Sequence, residues 1–298
     1  MPSFLIRKQL QARDRVFDAF EKYVRGDISD AAEVTLLRRR INDREGVSIR
    51  DQAKWQASFN IALLGNTVPT AFWSLYDIFS RRQLLQEMRN EIEEHAISRA
   101  SRGGDAIITL DVAALKTECP LLLSSYQESQ RTRSMHANIR KVMSDTTIES
   151  PTSGAQHFFA KGNFIQMPSG PIHKDGEIWG PTVDKFDPHR FAKENAVTRK
   201  GESYAFMPWG SAPHLCPARQ FASTEVMLFI AMMILAFDFS PPGGATDFTE
   251  PKILAGEMTT MMPAKGKVLV DISRRIGWQG SWRLEMGESS RRIPLASG

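Results

Sequence analysis

A long apolar segment, residues 55–80, carries a proline near its middle and limits how the rest of this chain can pack. Its centre reads Leu-Leu-Gly-Asn-Thr-Val-Pro-Thr-Ala-Phe-Trp. Pro69 removes a backbone donor, and its ring clashes with the carbonyl of Gly65, four residues earlier. We therefore expect a buried helix that is kinked or opened beside Asn66 and Thr67.

Composition places the chain among ordinary globular proteins. Its 298 residues are 42% apolar and 24% charged, enough to bury a sizeable core. The formal net charge of +4 comes from scattered basic residues nearly balanced by acids, so we expect no nucleic-acid partner. Two cysteines, Cys119 and Cys216, exclude a disulfide framework and fit a reducing compartment.

Two segments of the sequence bear on membrane insertion, and neither is typical of a membrane span. Residues 1–11 have no apolar run flanked by a cleavage site, so we expect neither a signal peptide nor an anchor in this chain. The apolar stretch at 226–237 is too short to span a bilayer and is interpreted as a buried helix.

Helical periodicity dominates the first half of the chain. Apolar residues at helical spacing predict two helices that pack inward, one with Leu10, Phe17, Phe20 and Val24, the other with Leu84, Leu85, Met88 and Ile92. Short strands are predicted at 157–159 and 164–167, joined at a Gly-Asn turn, and within 253–272.

We predict a single domain over residues 1–298. Its parts are helices over 1–54, the long helix over 55–80, a helix over 120–135 that opens at Pro120, an ordered meander ending in a loop over 168–216, and an apolar helix over 217–237.

Cys216 stands between a loop of small residues, 208–215, and a helix that begins near Pro217. The positive end of a helix favours a thiolate over a thiol, and the thiolate is the form that binds metal. Considered alone, a single cysteine before a helix is more often a buried structural residue.

Glu128 and Arg131 are three residues apart on the predicted helix and share a face, where they can pair. By itself such spacing is typical of a weak surface salt bridge. Arg190, in the segment Phe-Asp-Pro-His-Arg-Phe, is flanked by aromatic residues that could hold it inside as a third partner.

Four motifs follow one another in a specific order. They are Gly-Asn-Thr in the interrupted helix, Glu128-x-x-Arg131, the Phe-Asp-Pro-His-Arg190-Phe segment, and the loop that ends in Cys216-Pro-Ala-Arg219. Together they resemble the C-terminal hallmarks of the cytochrome P-450 family. The residues within these motifs are similar to those of the branch that contains cholesterol 7-alpha-hydroxylase and prostacyclin synthase. They are also similar to those of its homologues in filamentous fungi.

The resemblance implies a mainly α fold with small β elements, the C-terminal part of the cytochrome P-450 fold. Family members normally have a large portion before the interrupted, or distal, helix. Only about 50 residues precede it here, so we expect a chain truncated at its N-terminus.

The resemblance also implies roles for particular residues around haem b. Cys216 would be the metal ligand, at the end of a thiolate loop, residues 208–216. Glu128, Arg131 and Arg190 would form a buried charge cluster that braces this loop. The cofactor-binding residues would be Arg140 and His214, which match propionate-contacting positions, together with Trp209 and Gly210.

Two residues of the distal helix would act on the substrate side of the haem. Thr67 would help to deliver protons there, and Asn66 takes the place of the acid that most family members have. The alternative, from the residues alone, is that both are polar groups of the helix that hydrogen-bond to the backbone at a proline kink.

The thiolate loop departs from the family pattern at three positions. Trp209 stands where phenylalanine is usual, and Ala212 and Ala218 replace glycines. An added methyl group is expected to crowd the porphyrin, or to demand an unfavourable dihedral angle if the native φ is positive.

The resemblance leaves three functions open. The first is a monooxygenase that takes electrons from NADPH through a reductase and oxidises an apolar sterol, terpenoid or other fungal secondary metabolite. The second is a haem-thiolate isomerase or dehydratase that needs no external reductant, and the third is an inactive, truncated remnant. Full-length relatives face the cytoplasm from the endoplasmic reticulum, and we expect any membrane association to come from an N-terminal part.

Overall fold

The structure is a computed structural model that describes residues 6–151, 153–192, 202–254, 260–287 and 291–296. This part of the chain contains ten α-helices and nine short β-strands, so the predicted mainly α class with small β elements is confirmed. The chain groups into two compact units, Met1–Gly65 and Asn66–Gly298. A single domain over residues 1–298 stays a prediction.

The helices are α1 Arg7–Arg25, α2 Glu33–Arg44, α3 Ile49–Phe79, α4 Arg82–His95, α5 Val112–Thr117, α6 Pro120–Arg133, α7 Ser169–His173, α8 Gly176–Trp179, α9 Glu202–Ala205 and α10 Arg219–Ala236. The strands are β1 Ile97–Arg102, β2 Asp105–Asp111, β3 Ala137–Lys141, β4 Thr146–Glu149, β5 Gln156–Phe159, β6 Phe164–Pro168, β7 Phe237–Ser240, β8 Asp271–Arg274 and β9 Ser281–Glu285.

Helix α3 is the predicted distal helix, and it begins six residues earlier than expected, at Ile49. It is not interrupted at Pro69, which lies inside it. The Thr70 hydroxyl donates to the carbonyl of Asn66 at 2.7 Å, a side-chain bond within the turn that the proline weakens. The proline is therefore accommodated without ending the helix.

In the first unit, the amphipathic helix α1 turns the predicted face inward. Leu10, Phe17 and Phe20 are half-buried and Val24 is buried. Arg50, in the first turn of α3, bonds to Asp18 at 2.6 Å and to Glu21 at 2.9 Å on α1. Partly exposed ion pairs of this kind add little stability. The stability of this unit therefore depends mainly on the apolar face of α1.

The second unit has the larger core, built from α4, α5, α6 and α10. Fully buried members come from three of these helices: Met88, Ile92, Leu122, Ile230 and Ile234. Helix α6 starts with Pro120 at its first position, as predicted, because a proline there loses no helical hydrogen bond. Helices α6 and α10, which carry or flank candidate site residues, thus pack in this core.

Among the described residues, α10 is the one helix that is long and apolar enough to cross a membrane by length and composition. Its residues Ile230, Ala231 and Ile234 are completely buried against the neighbouring helices. The helix therefore has the packing of a core helix, as the sequence indicates for residues 226–237.

Within the described residues, the strands form four small sheets. In the largest, β1 is antiparallel to β2, and β2 is parallel to β9 with Ile107 opposite Ser281. The predicted strands at 157–159 and 164–167 exist as β5 and β6, but they do not pair with each other. Strand β6 pairs with β3 and β5 with β4, because the second hairpin is nested inside the first.

The predicted meander is ordered by short helices rather than by a sheet. Helices α7, α8 and α9 follow one another between β6 and the thiolate loop. Residues 193–201 of the predicted meander, and residues 255–259 of the segment predicted to contain strands, lie outside the described residues.

Arg89 joins α4 to the end of α10. Its guanidinium donates to the carbonyls of Ile234 at 2.7 Å and Phe237 at 2.9 Å, and pairs with Asp238 at 2.7 Å. The last carbonyls of a helix have no partner inside the helix, so a cation there satisfies them and favours the helix dipole.

Replacing Arg89 with alanine is expected to lower the free energy of unfolding by roughly 1–3 kcal/mol, because buried carbonyls lose their donors. Urea denaturation of the 298-residue chain measures the change. Arg82→Ala, an exposed residue of the same helix, is the control and should stay within about 0.5 kcal/mol. Equal losses in both variants would contradict this role of Arg89.

Candidate functional site

Glu128 is fully buried on α6 and receives donors from two arginines. Arg131 donates to both carboxylate oxygens at 2.8 Å. Arg190 donates through Nε at 3.0 and 3.1 Å, and the backbone N–H of Asp187 donates at 3.1 Å. The structure thus brings the three predicted members of the charge cluster together inside the protein and not at the surface.

The two arginines of the charge cluster also hold the meander. The side chains of Arg131 and Arg190 are 1% and 11% exposed. Their remaining N–H groups donate, at 2.6 to 3.0 Å, to the carbonyls of His173, Val183, Trp179 and Thr182. One buried negative charge is therefore the centre of a hydrogen-bond network that reaches α7, α8 and the turn after them.

The thiolate loop is closed by a tight turn at Gly210. This residue has φ of +84°, which favours glycine, and a Cβ there would meet the carbonyl oxygen of His214 at 3.1 Å. The N–H of Cys216 donates to the carbonyl of Trp209 at 2.9 Å. The turn therefore returns the chain so that Cys216 lies beside Trp209.

Cys216 is half-buried and forms no disulfide, and α10 begins three residues after it at Arg219. Cys119 is fully buried, and this burial raises the pKa of its thiol, a shift to which the carboxylates of Glu91 and Glu118 add. Of the two cysteines, Cys216 is the one suited to bind a metal.

Three other predicted binding residues lie in this loop or against it. Arg140 on β3 donates to the carbonyl of Ser211 at 3.1 Å and to its hydroxyl at 3.2 Å. His214 is exposed. The indole Nε1 of Trp209 is buried and has no hydrogen-bond partner within the part of the chain that the structure describes.

The two alanines that replace family glycines are not strained. Among the described residues, no residue other than glycine has a positive φ, and Ala218 has φ of −86°. The condition for an unfavourable dihedral angle at Ala212 or Ala218 is therefore not met, because the loop places only Gly210 in the left-handed region, and crowding of the porphyrin stays a prediction.

Asn66 and Thr67 lie on α3, and the structure gives them different surroundings. The side-chain oxygen of Asn66 accepts from the backbone N–H of Thr260 at 2.9 Å and of Met261 at 3.4 Å. Thr67 is half-buried, and its hydroxyl makes no recorded hydrogen bond within the described ranges. No hydrogen bond in those ranges connects either residue to the thiolate loop.

A second buried ion pair was not expected from the sequence. Asp77 on α3 is fully buried and accepts from Arg133 at 2.6 and 2.8 Å and from the Ser129 hydroxyl at 2.8 Å. Burial raises the pKa of Asp77, while Arg133, Ser129 and Arg81 oppose the shift. The available signal was an aspartate within an apolar helix, but the partner lies 56 positions away.

A buried histidine was also missed. His173, the last residue of α7, contacts the Ser134 hydroxyl through Nδ1 at 3.2 Å and accepts from the N–H of Met207 at 3.0 Å through Nε2. Burial lowers the pKa of His173 to about 4; the charge of Arg131 adds to this shift, and the backbone of Arg131 and Ala205 opposes it. His173 is therefore neutral at physiological pH.

The donor set around the loop fits a haem better than a metal ion held by side chains alone. Within the described residues there is no group of three or more His, Cys, Asp or Glu that could hold an ion. A single thiolate needs a macrocycle to supply the other ligands, as in haem-thiolate sites. The backbone carbonyl of Trp209 accepts from the N–H of Cys216, and the indole N–H of Trp209 has no partner among the described residues, so this side chain could donate to a group bound at the loop.

Replacing Glu128 with glutamine is expected to lower the free energy of unfolding by roughly 3–5 kcal/mol, because the buried Arg131 and the largely buried Arg190 lose their counter-charge. Thermal or urea unfolding of the purified chain measures this. Glu33→Gln, which breaks the exposed pair with Arg40, is the matched control and should cost less than about 1 kcal/mol. A loss at Glu128 no larger than at Glu33 would show that the charge cluster does not support the fold.

The buried histidine predicts a specific pH dependence. Between the ordinary histidine pKa of 6.5 and the folded value of about 4, the unfolded chain binds more protons at His173 than the folded chain does. Stability therefore falls as the pH drops through this window, by up to about 1.4 kcal/mol per pH unit, and above it His173 contributes nothing. The measurement is the difference in unfolding free energy between the wild type and His173→Gln as a function of pH, and a constant difference would refute this.

Comparisons with known proteins identify the family of the chain. The family model described as Cytochrome P450 matches residues 5–270. The cytochrome P450 monooxygenase nodJ of Hypoxylon pulicicidum is 32% identical over 100% of this chain and 58% of its own length. The human 7-alpha-hydroxycholest-4-en-3-one 12-alpha-hydroxylase is 31% identical over 66% of this chain and 43% of its own, and the cholesterol 7-alpha-monooxygenase of Cricetulus griseus is 26% identical over 80% and 48%.

The chain thus spans about half the length of the curated relatives that it matches. The match extends through the distal helix, the charge cluster and the thiolate loop, the same elements whose geometry is described above. The chain therefore belongs to the cytochrome P450 family.

Proposed function

We propose that the protein is a haem-thiolate monooxygenase that inserts one oxygen atom of O2 into an apolar substrate. The observation that carries this proposal is the position of Cys216, an unpaired and half-buried cysteine at the start of a helix, in a loop closed by Gly210. The relatives named as monooxygenases or hydroxylases support it.

The residues that would hold the haem are those of the thiolate loop and its neighbours. Cys216 would be the metal ligand, Arg140 and His214 would contact the propionates, and Trp209 and Gly210 would lie against the macrocycle. When bound, a haem held by a thiolate would supply the activation of O2.

The charge cluster would affect this site only by fixing the position of the thiolate loop. Glu128 and its two arginines order the meander, and the meander leads directly into the thiolate loop. A ligand that must keep a fixed place under a macrocycle needs a loop that does not rearrange, and a buried network with every partner satisfied provides that rigidity.

Proton delivery on the distal side is assigned to Thr67. Its hydroxyl makes no recorded hydrogen bond in the described ranges, so it can donate to a group on that side. The side-chain oxygen of Asn66 is already used by the backbone of Thr260 and Met261, so Asn66 would hold the neighbouring segment in place. Thr67 and Asn66, although adjacent in the sequence, would therefore have different roles.

We further propose that electrons come from NADPH through a reductase, and that the substrate is a sterol, a terpenoid or another fungal secondary metabolite. The names of the sterol-hydroxylating relatives and the fungal relative support this class. The cytoplasmic face of the endoplasmic reticulum is the location that the family resemblance favours.

Substituting serine for Cys216 is expected to abolish the thiolate-type Soret band in the carbon-monoxide difference spectrum of the reduced, haem-loaded protein. The matched control is Cys119→Ala, which removes the buried cysteine and should leave the band unchanged. If the wild type takes up haem without a thiolate-type band, Cys216 is not the ligand. If it takes up no haem, the chain by itself is an inactive remnant.

Dependence on reductant separates oxygenation from haem-thiolate isomerisation or dehydration. Product formation from an added sterol or terpenoid should require both NADPH and a reductase. Turnover that continues without them would overturn the monooxygenase proposal in favour of an isomerase or dehydratase.

A further inference from the structure

His173 lies where three elements meet. Its side chain is completely buried, and it is the last residue of α7. Ser134, just after α6, contacts Nδ1 at 3.2 Å, and the backbone N–H of Met207 donates to Nε2 at 3.0 Å. The ring therefore joins the end of α6 to the residue immediately before the thiolate loop.

These contacts define the protonation state of the ring. Because Met207 donates to Nε2, that nitrogen carries a lone pair, and the proton of the neutral ring is therefore on Nδ1, which lies 3.2 Å from the Ser134 hydroxyl. An imidazolium would have no acceptor for the Met207 N–H. Burial lowers the pKa of His173 to about 4, which keeps the accepting form present at neutral pH.

Met207 is itself an anchor of the loop. It is 4% exposed, its carbonyl accepts from the N–H of Gly210 at 3.3 Å, and its sulfur accepts from the side chain of Asn138 at 3.4 Å. Its own N–H has the His173 ring as its acceptor, and a buried N–H without an acceptor is strongly disfavoured. The start of the turn that leads to Cys216 is thus held from three directions.

The same histidine is tied to the charge cluster through its backbone. Arg131 donates to the carbonyl of His173 at 2.6 Å. The ring is also enclosed by Trp179, at 6.2 Å between centroids in an edge-to-face arrangement, and by Phe206 at 5.8 Å. His173 therefore has little freedom to move without disturbing either the charge cluster or the loop.

We propose that His173 is a positioning residue for the thiolate ligand: as the neutral Nδ1–H tautomer, it connects the Glu128 charge cluster to the backbone of Met207 and so fixes the thiolate loop. This inference rests on the proposed haem-thiolate function, and it adds a residue to which neither the motifs nor the comparisons assign a role.

The test compares two substitutions in the full 298-residue chain. His173→Phe keeps an aromatic ring among Trp179 and Phe206 but removes the acceptor for Met207. His173→Gln is the conservative variant, because its side-chain oxygen can still accept from that N–H. Amide protection in the β1–β2 sheet is the internal reference that both variants are folded.

The first readout is hydrogen exchange at the Met207 amide, measured with and without haem. We expect exchange to be about tenfold or more faster in His173→Phe, because the amide loses a hydrogen bond, and close to wild type in His173→Gln. The second readout is the thiolate-type share of the Soret band of the reduced carbon-monoxide complex. It should fall in His173→Phe and be restored in His173→Gln.

An unchanged Met207 exchange rate in a folded His173→Phe variant would overturn the proposal, and so would an unchanged thiolate-type share. Failure of the haem-thiolate function gives a different pattern. In that case the wild type itself shows no thiolate-type band, while exchange at Met207 still depends on residue 173.

Discussion

A buried carboxylate must be paired, and in this chain the pairing of Glu128 organises the side of the molecule that carries the cysteine loop. Two arginines neutralise it, and their other N–H groups hold the carbonyls of the meander. Because Arg131 is fully buried and the side chain of Arg190 is only 11% exposed, removing either arginine would leave a buried charge without its partner. The position of the loop is therefore coupled to one charge on α6.

Local patterns in the sequence were enough to predict much of this. The helix that starts at Pro120, the apolar helix after Cys216, and the three members of the charge cluster are found close to their expected places. Each depends on spacing within a helix or on a motif a few residues long. That the cluster is buried did not follow from spacing, which alone predicts a surface pair; it came from the family resemblance.

What the sequence could not supply are partners far apart along the chain. Asp77 pairs with Arg133 across 56 positions, and Asn66 binds a backbone segment 194 positions away. The nested hairpins follow the same rule, since periodicity predicts a strand but not its partner. His173 had no signal at all, because a histidine in a polar, irregular stretch looks like a surface residue until its neighbours are known.

The proposed function depends on a lone sulfur ligand, Cys216, whose position is fixed by its surroundings. Iron K-edge X-ray absorption of the haem-loaded chain tests this most directly, because it reports the atoms bound to the metal. The account predicts one sulfur neighbour of iron in the wild-type protein, and its loss when Cys216 is replaced by serine. An iron surrounded only by nitrogen or oxygen in the wild type would contradict it.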